Sequence, residues 1–496
     1  MDRGATSPRL SRRLAGLLLA GTVLAAIPAF AQQQLPAETT TFLQPLNPLV
    51  DDPDADPDAD PADAATTATT TTTTQPALTD DQAGALAEAA DETGAIRRTA
   101  REGERLNARE GNVDNVTSEF GDPYEPTGIH LGAFVLKPSL SQGIGYEKTK
   151  TGSSSESRSF SETGFRGSLV SDWSRHQLSI VADGVYQRNL SGSGETEPEF
   201  NINSDLRLDL SNDTIANLTA GYNFERENSS DPNAIDGASV QSGVHNFTAG
   251  ARVTRDFGVI RGTIATDVER EIYGSAKLAN GDKLSLSDRN FTEGTITGRV
   301  GFEVSPALIP YLEASVGRSI YDHKRDSLGY ERSAATLGAR AGVEVDLGEK
   351  LRGELGIGYQ RSAFDDNRLK AIEAVAIDGS IFWSPQRGTD LRLGLNTEIE
   401  PSTSAGQSGY VAYETTAELT HELRENLVAR LSGAYTWRNF PSSGSSDQNV
   451  YLVGTGVTWD LNRWLALTGD VSYELTTQSG PDTGITRAGI GLVLRR

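Results

Sequence analysis

The side chains that carry most protein chemistry are scarce in this sequence, and they are scattered. It has no Cys, which removes disulfides, thiolate metal ligands, thiol nucleophiles and a lipid-modified N-terminal Cys. Its five histidines, His130, His176, His245, His323 and His421, fall in different segments and form no helical pair for zinc. His323, beside Asp322 and near Asp326, is the one cluster with the composition of a hydrolase site, and its place at the end of a strand-like run reads as a solvated strand end. An Asp-Pro-Ala tract from Asp51 to Asp63 offers carboxylates but lacks the turn glycine and terminal Glu of a calcium loop. Triplets such as Gly356-Ile357-Gly358 and Gly454-Thr455-Gly456 sit inside strand patterns with no helix after them, so they fit sheet curvature better than a phosphate loop. These patterns point to no enzyme, no metal and no cofactor.

What remains is charge arranged in rows. From Tyr330 to Gln360, Arg332, Arg340, Glu344, Arg352 and Glu354 alternate with Leu337, Val343, Val345, Leu355 and Ile357 at a period of two, and Gly348-Glu349-Lys350 reverses the chain. The same alternation sets Arg207, Arg261, Arg392, Glu398, Asp470 and Glu474 opposite rows such as Ile260, Ile264, Val268 and Leu391, Leu393, Leu395. Strands of this length, apolar on one face and charged on the other, match a wall between lipid and a wet interior. The expected fold is all-β, an antiparallel transmembrane β-barrel of about 18 strands over residues 128–496. Its candidate lumen-lining groups are Arg207, Arg261, Arg340, Arg352, Arg392, Glu344, Glu354, Glu398, Asp470 and Glu474. From residue 129 onward there are 36 basic and 47 acidic residues, so a pore would prefer cations weakly.

The connections support the barrel. After odd-numbered strands they are mostly long and rich in Gly, Ser, Asn and Asp, as at Gly152 to Ser157, Ser191 to Glu199, Ser229 to Gly243 and Gly274 to Asp288; after even-numbered strands they are mostly tight. Trp173, Trp383, Trp459 and Trp464 lie beside the tight turns, and Tyr186, Tyr222, Tyr273, Tyr321, Tyr330 and Tyr359 lie toward the long loops, as two aromatic girdles would. An even strand count puts both termini on one side, the periplasm.

Ahead of the barrel, Arg9, Arg12 and Arg13 precede an apolar run that ends at Ala29-Phe30-Ala31, which reads as a secretory signal peptide over residues 1–31. Residues 32–122 show no alternation. They read as a low-complexity, Asp/Pro/Thr-rich linker, disordered apart from short helices at about 77–112. The net charge of −23 speaks against nucleic acid as a partner.

The first strand, Gly132-Ala133-Phe134-Val135-Leu136-Lys137-Pro138-Ser139-Leu140 through Gly143-Ile144-Gly145-Tyr146, resembles the opening strand of Gram-negative outer-membrane proteins of the β-barrel porin 2 type. Two features depart from that family: Glu147-Lys148-Thr149 stand where Asp and Asn usually follow, and the chain ends in Arg495-Arg496, where barrels commonly end in Phe. The resemblance implies a protein of the cell outer membrane, in contact with membrane lipid and lipopolysaccharide and with the barrel-assembly machinery during biogenesis. It also implies an association with a polysaccharide-export apparatus in some members. The function expected is a passive pore or a polymer or solute export channel. The alternative is a closed structural or interaction barrel associated with exopolysaccharide export.

Overall fold

The computed structural model describes residues 124, 126–404, 406–441 and 446–496. The expected signal peptide and the short helices near 77–112 lie outside the described residues. Eighteen long strands make up the wall: β1 (Phe134–Thr151), β2 (Ser154–Ser171), β3 (Gln177–Gly192), β4 (Glu199–Ser211), β5 (Thr214–Arg226) and β6 (Gly243–Asp256). They continue as β7 (Ile260–Tyr273), β8 (Phe291–Phe302), β9 (Leu308–Tyr321), β10 (Ala334–Asp346), β11 (Leu351–Phe364) and β12 (Ile372–Gln386). The last six are β13 (Thr389–Pro401), β14 (Gly409–Arg424), β15 (Leu427–Asn439), β16 (Gln448–Asn462), β17 (Leu465–Thr477) and β18 (Thr483–Arg495).

Each strand is antiparallel to its neighbours in sequence, and β18 returns to pair with β1 from Ser139–Arg495 to Thr151–Thr483. That last pairing closes the sheet into a cylinder, the form in which strands cross lipid. Register fixes the faces, because cross-strand partners share a side. Leu337, Leu355, Ile357, Leu312, Val316, Ile296, Val300 and Ile264 all lie outward and exposed, a continuous apolar surface. The opposite parity faces the interior and is largely Arg, Glu, Asp, Ser, Thr and Gly. The hairpin read from Tyr330 to Gln360 is β10–β11, paired from Ala334–Phe364 to Asp346–Arg352.

One expected loop is absent. Gly152 to Ser157 is not a long connection: β1 and β2 run on as a hairpin joined by Gly152 and Ser153, with Gly152 at φ 58. At that height both faces of β2 are polar, through Ser154, Ser155, Glu156 and Ser157, so hydropathy leaves no period to read there. Conversely, the two longest loops carry structure that the sequence pattern did not suggest, since Ala238–Val240, Ser275–Leu278 and Lys283–Ser285 form a small three-stranded sheet.

Candidate functional site

All ten of the charged residues singled out above stand on the inward parity of their strands. The structure connects several of them into a chain that follows the inner wall from β8 to β12. The Arg299 guanidinium donates to Glu313 at 2.7 Å and to Glu354 at 2.8 Å. Arg340 meets the other oxygen of Glu313 at 2.5 Å and also bonds Asp378. Arg299 on β8 and Glu354 on β11 are three strands apart, so their contact must pass over the concave side of the wall. Arg261 pairs with Asp256 at 2.9 Å and approaches Glu344 at 3.6 Å. Arg207 is held by Asp209 at 2.9 Å, Arg392 lies 3.5 Å from Glu418, and Arg352 stacks 5.0 Å from the ring of Phe382. Asp470 has Gly456 and Gly489 as its cross-strand partners, and Glu398 has Ala412.

A second cluster lies on the opposite arc, across β17, β18, β1, β2 and β3. Arg158 donates two hydrogen bonds to Glu147, at 2.8 and 3.1 Å, and one to Gln187 at 3.0 Å. Arg487 bonds Glu147 at 2.9 Å and Glu197 at 3.0 Å and lies 3.6 Å from Glu474. Opposed charges in such chains satisfy one another in a space poorer in water than bulk.

Inward glycines let the aromatic rings of this interior lie flat. A Cβ at Gly145 would fall 2.5 Å from the Phe160 ring, and one at Gly342 would fall 2.5 Å from Tyr311. The arginines stack on top, with Arg158 4.5 Å from the Phe160 centroid and Arg299 3.8 Å from that of Tyr311.

The mouth is different. Residues 227–242, between β5 and β6, leave the rim and cross to its far side. At the near end Glu227 pairs with Arg289 at 2.9 Å, and the backbone N–H of Gln241 donates to Glu195 at 2.6 Å. At the far end Asn233 donates to the Pro401 carbonyl at 3.3 Å and accepts from the Thr403 N–H at 2.9 Å, while Asp231 lies 3.5 Å from Arg438. Strands β7 to β12 separate the two attachments along the wall in one direction. The segment is therefore a strap over the interior.

The aromatic residues expected in girdles divide into two groups. Trp383, Trp459, Trp464, Tyr186 and Tyr359 face outward and are exposed. Trp173 packs edge-on against Phe134 at 5.6 Å, and Tyr222 donates or accepts a 2.9 Å hydrogen bond with His245 while packing on Phe247. Tyr273 and Tyr321 do not join a girdle, because register turns both inward, and Tyr330 lies in a loop beneath Arg368 at 4.0 Å. Nor do Asp322 and Asp326 form a reacting cluster with His323. Asp322 is clamped by both Arg270 nitrogens at 2.6 Å, and Asp326 accepts from Arg332, Leu328 and Tyr330. Among the described residues no group of His, Asp and Glu is placed to hold a metal ion.

A family model described as "Putative beta-barrel porin 2" matches residues 122–496, which is the whole barrel. The chain belongs to this family. It is a porin-like outer-membrane β-barrel. No curated protein matches the sequence. Solved structures similar to it include OpdQ of Pseudomonas aeruginosa, 10% identical, covering 73% of this chain and 98% of that one at a TM-score of 0.34. OccAB4 of Acinetobacter baumannii, 10% identical over 73% and 98%, has a TM-score of 0.36, and a BenF-like porin from Pseudomonas fluorescens Pf-5, 11% identical over 73% and 99%, also has 0.36.

Sequence reasoning missed Arg299, Glu313 and Asp378, the centre of the larger charge chain, although the same alternation places them inward. It also missed Arg158, Glu147 and Arg487. Those three lie high in the barrel near the polar-faced hairpin, where period-two hydropathy weakens, and only the register brings them together.

Proposed function

We propose that this barrel is a passive pore of the outer membrane, with a weak preference for cations, and that its mouth is narrowed by the strap over 227–242. The observation that carries this reading is the polar inner wall of a barrel of eighteen strands, a width at which barrels hold an aqueous channel. The excess of acidic over basic residues from 129 on favours cations in such a space. Both termini are assigned to the periplasm, on the side of the tight turns, and residues 32–122 to a linker ahead of the barrel. Lipopolysaccharide and the assembly machinery are its expected partners. Small hydrophilic solutes are the expected cargo, and export of a polymer belongs to the same reading, whereas association with an exopolysaccharide-export apparatus belongs to the alternative of a closed barrel.

A second reading has one observation in its favour. The strap and the paired arginines occupy part of the interior, as they would in a closed structural barrel. Conductance of the purified protein in a planar bilayer separates the two. Steady steps, with a reversal potential in a salt gradient that shows cation preference, support the pore. Silence, both in the intact chain and in a variant lacking the strap tip, supports the closed barrel.

A further inference from the structure

Around most of its circumference the wall is a continuous hydrogen-bonded ladder, but one seam is not. β12 and β13 share cross-strand partners only from Gly379–Leu395 to Trp383–Leu391, with one more at Gln386–Thr389. Both strands run well beyond that point, and on their other flanks both are paired almost to the top, β12 to β11 through Ile372 and β13 to β14 through Pro401. The split therefore does not come from fraying ends. At its base the Thr397 hydroxyl substitutes for the ladder, accepting from the Ile377 N–H at 2.8 Å and donating to the Ile377 carbonyl at 3.0 Å. The Asp378 carboxylate accepts from the Thr397 N–H at 3.0 Å.

Above that point the wall overlaps itself. Val411 has the outward parity of Leu431 and Trp437, which are 51% and 36% exposed, yet Val411 is 2% exposed. Ile372 and Ala374, from the inward face of β12, cover it, and Phe364, Ile399 and Tyr413 complete the cluster. The upper part of β12 thus lies over the outer face of β13 and β14, and apolar side chains close the wall where a peptide ladder would otherwise do so. In lipid the two closures differ in cost. Parting a ladder strands peptide groups that hydrocarbon cannot satisfy, whereas lipid tails or an apolar solute replace an apolar contact at little loss.

Two further features bear on what passes. Ile377 and Val375 stand opposite Ile357 and Tyr359, so the split opens within the apolar band and rises to the aromatic girdle. The strap that crosses the mouth is fastened by Asn233 to Pro401 and Thr403, at the top of β13.

We infer that the seam between β12 and β13 is a lateral passage, by which an apolar or amphipathic solute moves between the lumen and the outer part of the membrane. The inference rests on the pore reading, since it needs a lumen that solute can enter. Because the native chain has no Cys, the seam can be locked cleanly with Ile377→Cys and Thr397→Cys, or with Ala374→Cys and Val411→Cys. The probe is N-phenyl-1-naphthylamine, an apolar fluorophore that brightens inside membranes, added to cells making each variant; purified protein is tested in parallel for potassium chloride conductance. Heat-modifiable mobility of the reduced variants verifies folding. Oxidation is expected to lower probe uptake to the rate of cells without the protein, reductant to restore it, and conductance to stay unchanged. Equal uptake in linked and reduced forms, with conductance intact, overturns the passage and leaves the pore standing. Absence of conductance in the unlinked protein overturns the pore, and the passage with it.

Discussion

Single residues in this barrel act mainly by satisfying one another. Glu313 is 8% exposed and sits between two guanidinium groups, Arg299 and Arg340. Glu313→Gln takes away the carboxylate those arginines share and leaves each with one, Glu354 for Arg299 and Asp378 for Arg340, at a cost of roughly 1 to 3 kcal/mol for the weakened bonds. A lower urea midpoint for loss of the heat-modifiable form is expected, together with a reversal potential moved toward anions. Outside the membrane, Asp326 organises the loop over 322–333. Burial would push its carboxyl up, but the N–H groups of Tyr330 and Leu328 and the Arg332 guanidinium hold it below the usual carboxylate range. A carboxyl depressed in this way stabilises the loop above its unfolded value and loses that contribution as pH falls through the folded one. Protease cutting within 322–333 should therefore stay slow at neutral pH and quicken in strong acid, and Asp326→Asn should make it quick at neutral pH. The acidic and basic partners were visible as residue types on one face. Which arginine meets which carboxylate depends on register, and a one-residue slip would have rewritten every pair.

Among the elements, strands were the legible part and loops were not. The hairpin of β10 and β11 could be read because each apolar residue must meet lipid and each polar one must meet water, so the period appears directly in the residue types. The strap could not be read that way. Asn233, Thr403 and Asp231 are ordinary loop residues, and nothing local says that the first will bond across the mouth to the second. The same holds for the split between β12 and β13, since both segments alternate as cleanly as their neighbours. Deleting residues 229–236 removes the tip of the strap with its far attachment. Single-channel conductance is then expected to rise severalfold with the barrel still folded; an unchanged step size would show that the strap does not limit flow. Asn233→Ala, which removes the bonds to Pro401 and Thr403, should give a smaller rise with noisier open states.

For the whole molecule, the barrel is described from residue 126 onward as a sheet that needs nothing upstream to complete its ladder. A form lacking residues 32–122 is accordingly expected to keep the heat-modifiable shift and the conductance of the full chain. If steps appear only in that shortened form, the upstream segment is a plug. The final pairing, Ser139 with Arg495 through Thr151 with Thr483, joins the two ends of the described barrel. That contact also has a temporal meaning. Seventeen of the pairings join consecutive neighbours, but the eighteenth must bring the last strand to the first across more than three hundred residues, so an unfinished cylinder always carries raw edges. A chain cut short before residue 483 could form only a curled sheet with two open margins, ready to stick to its own kind. For this protein, the surveillance of incomplete copies can rest on whether β1 has found β18.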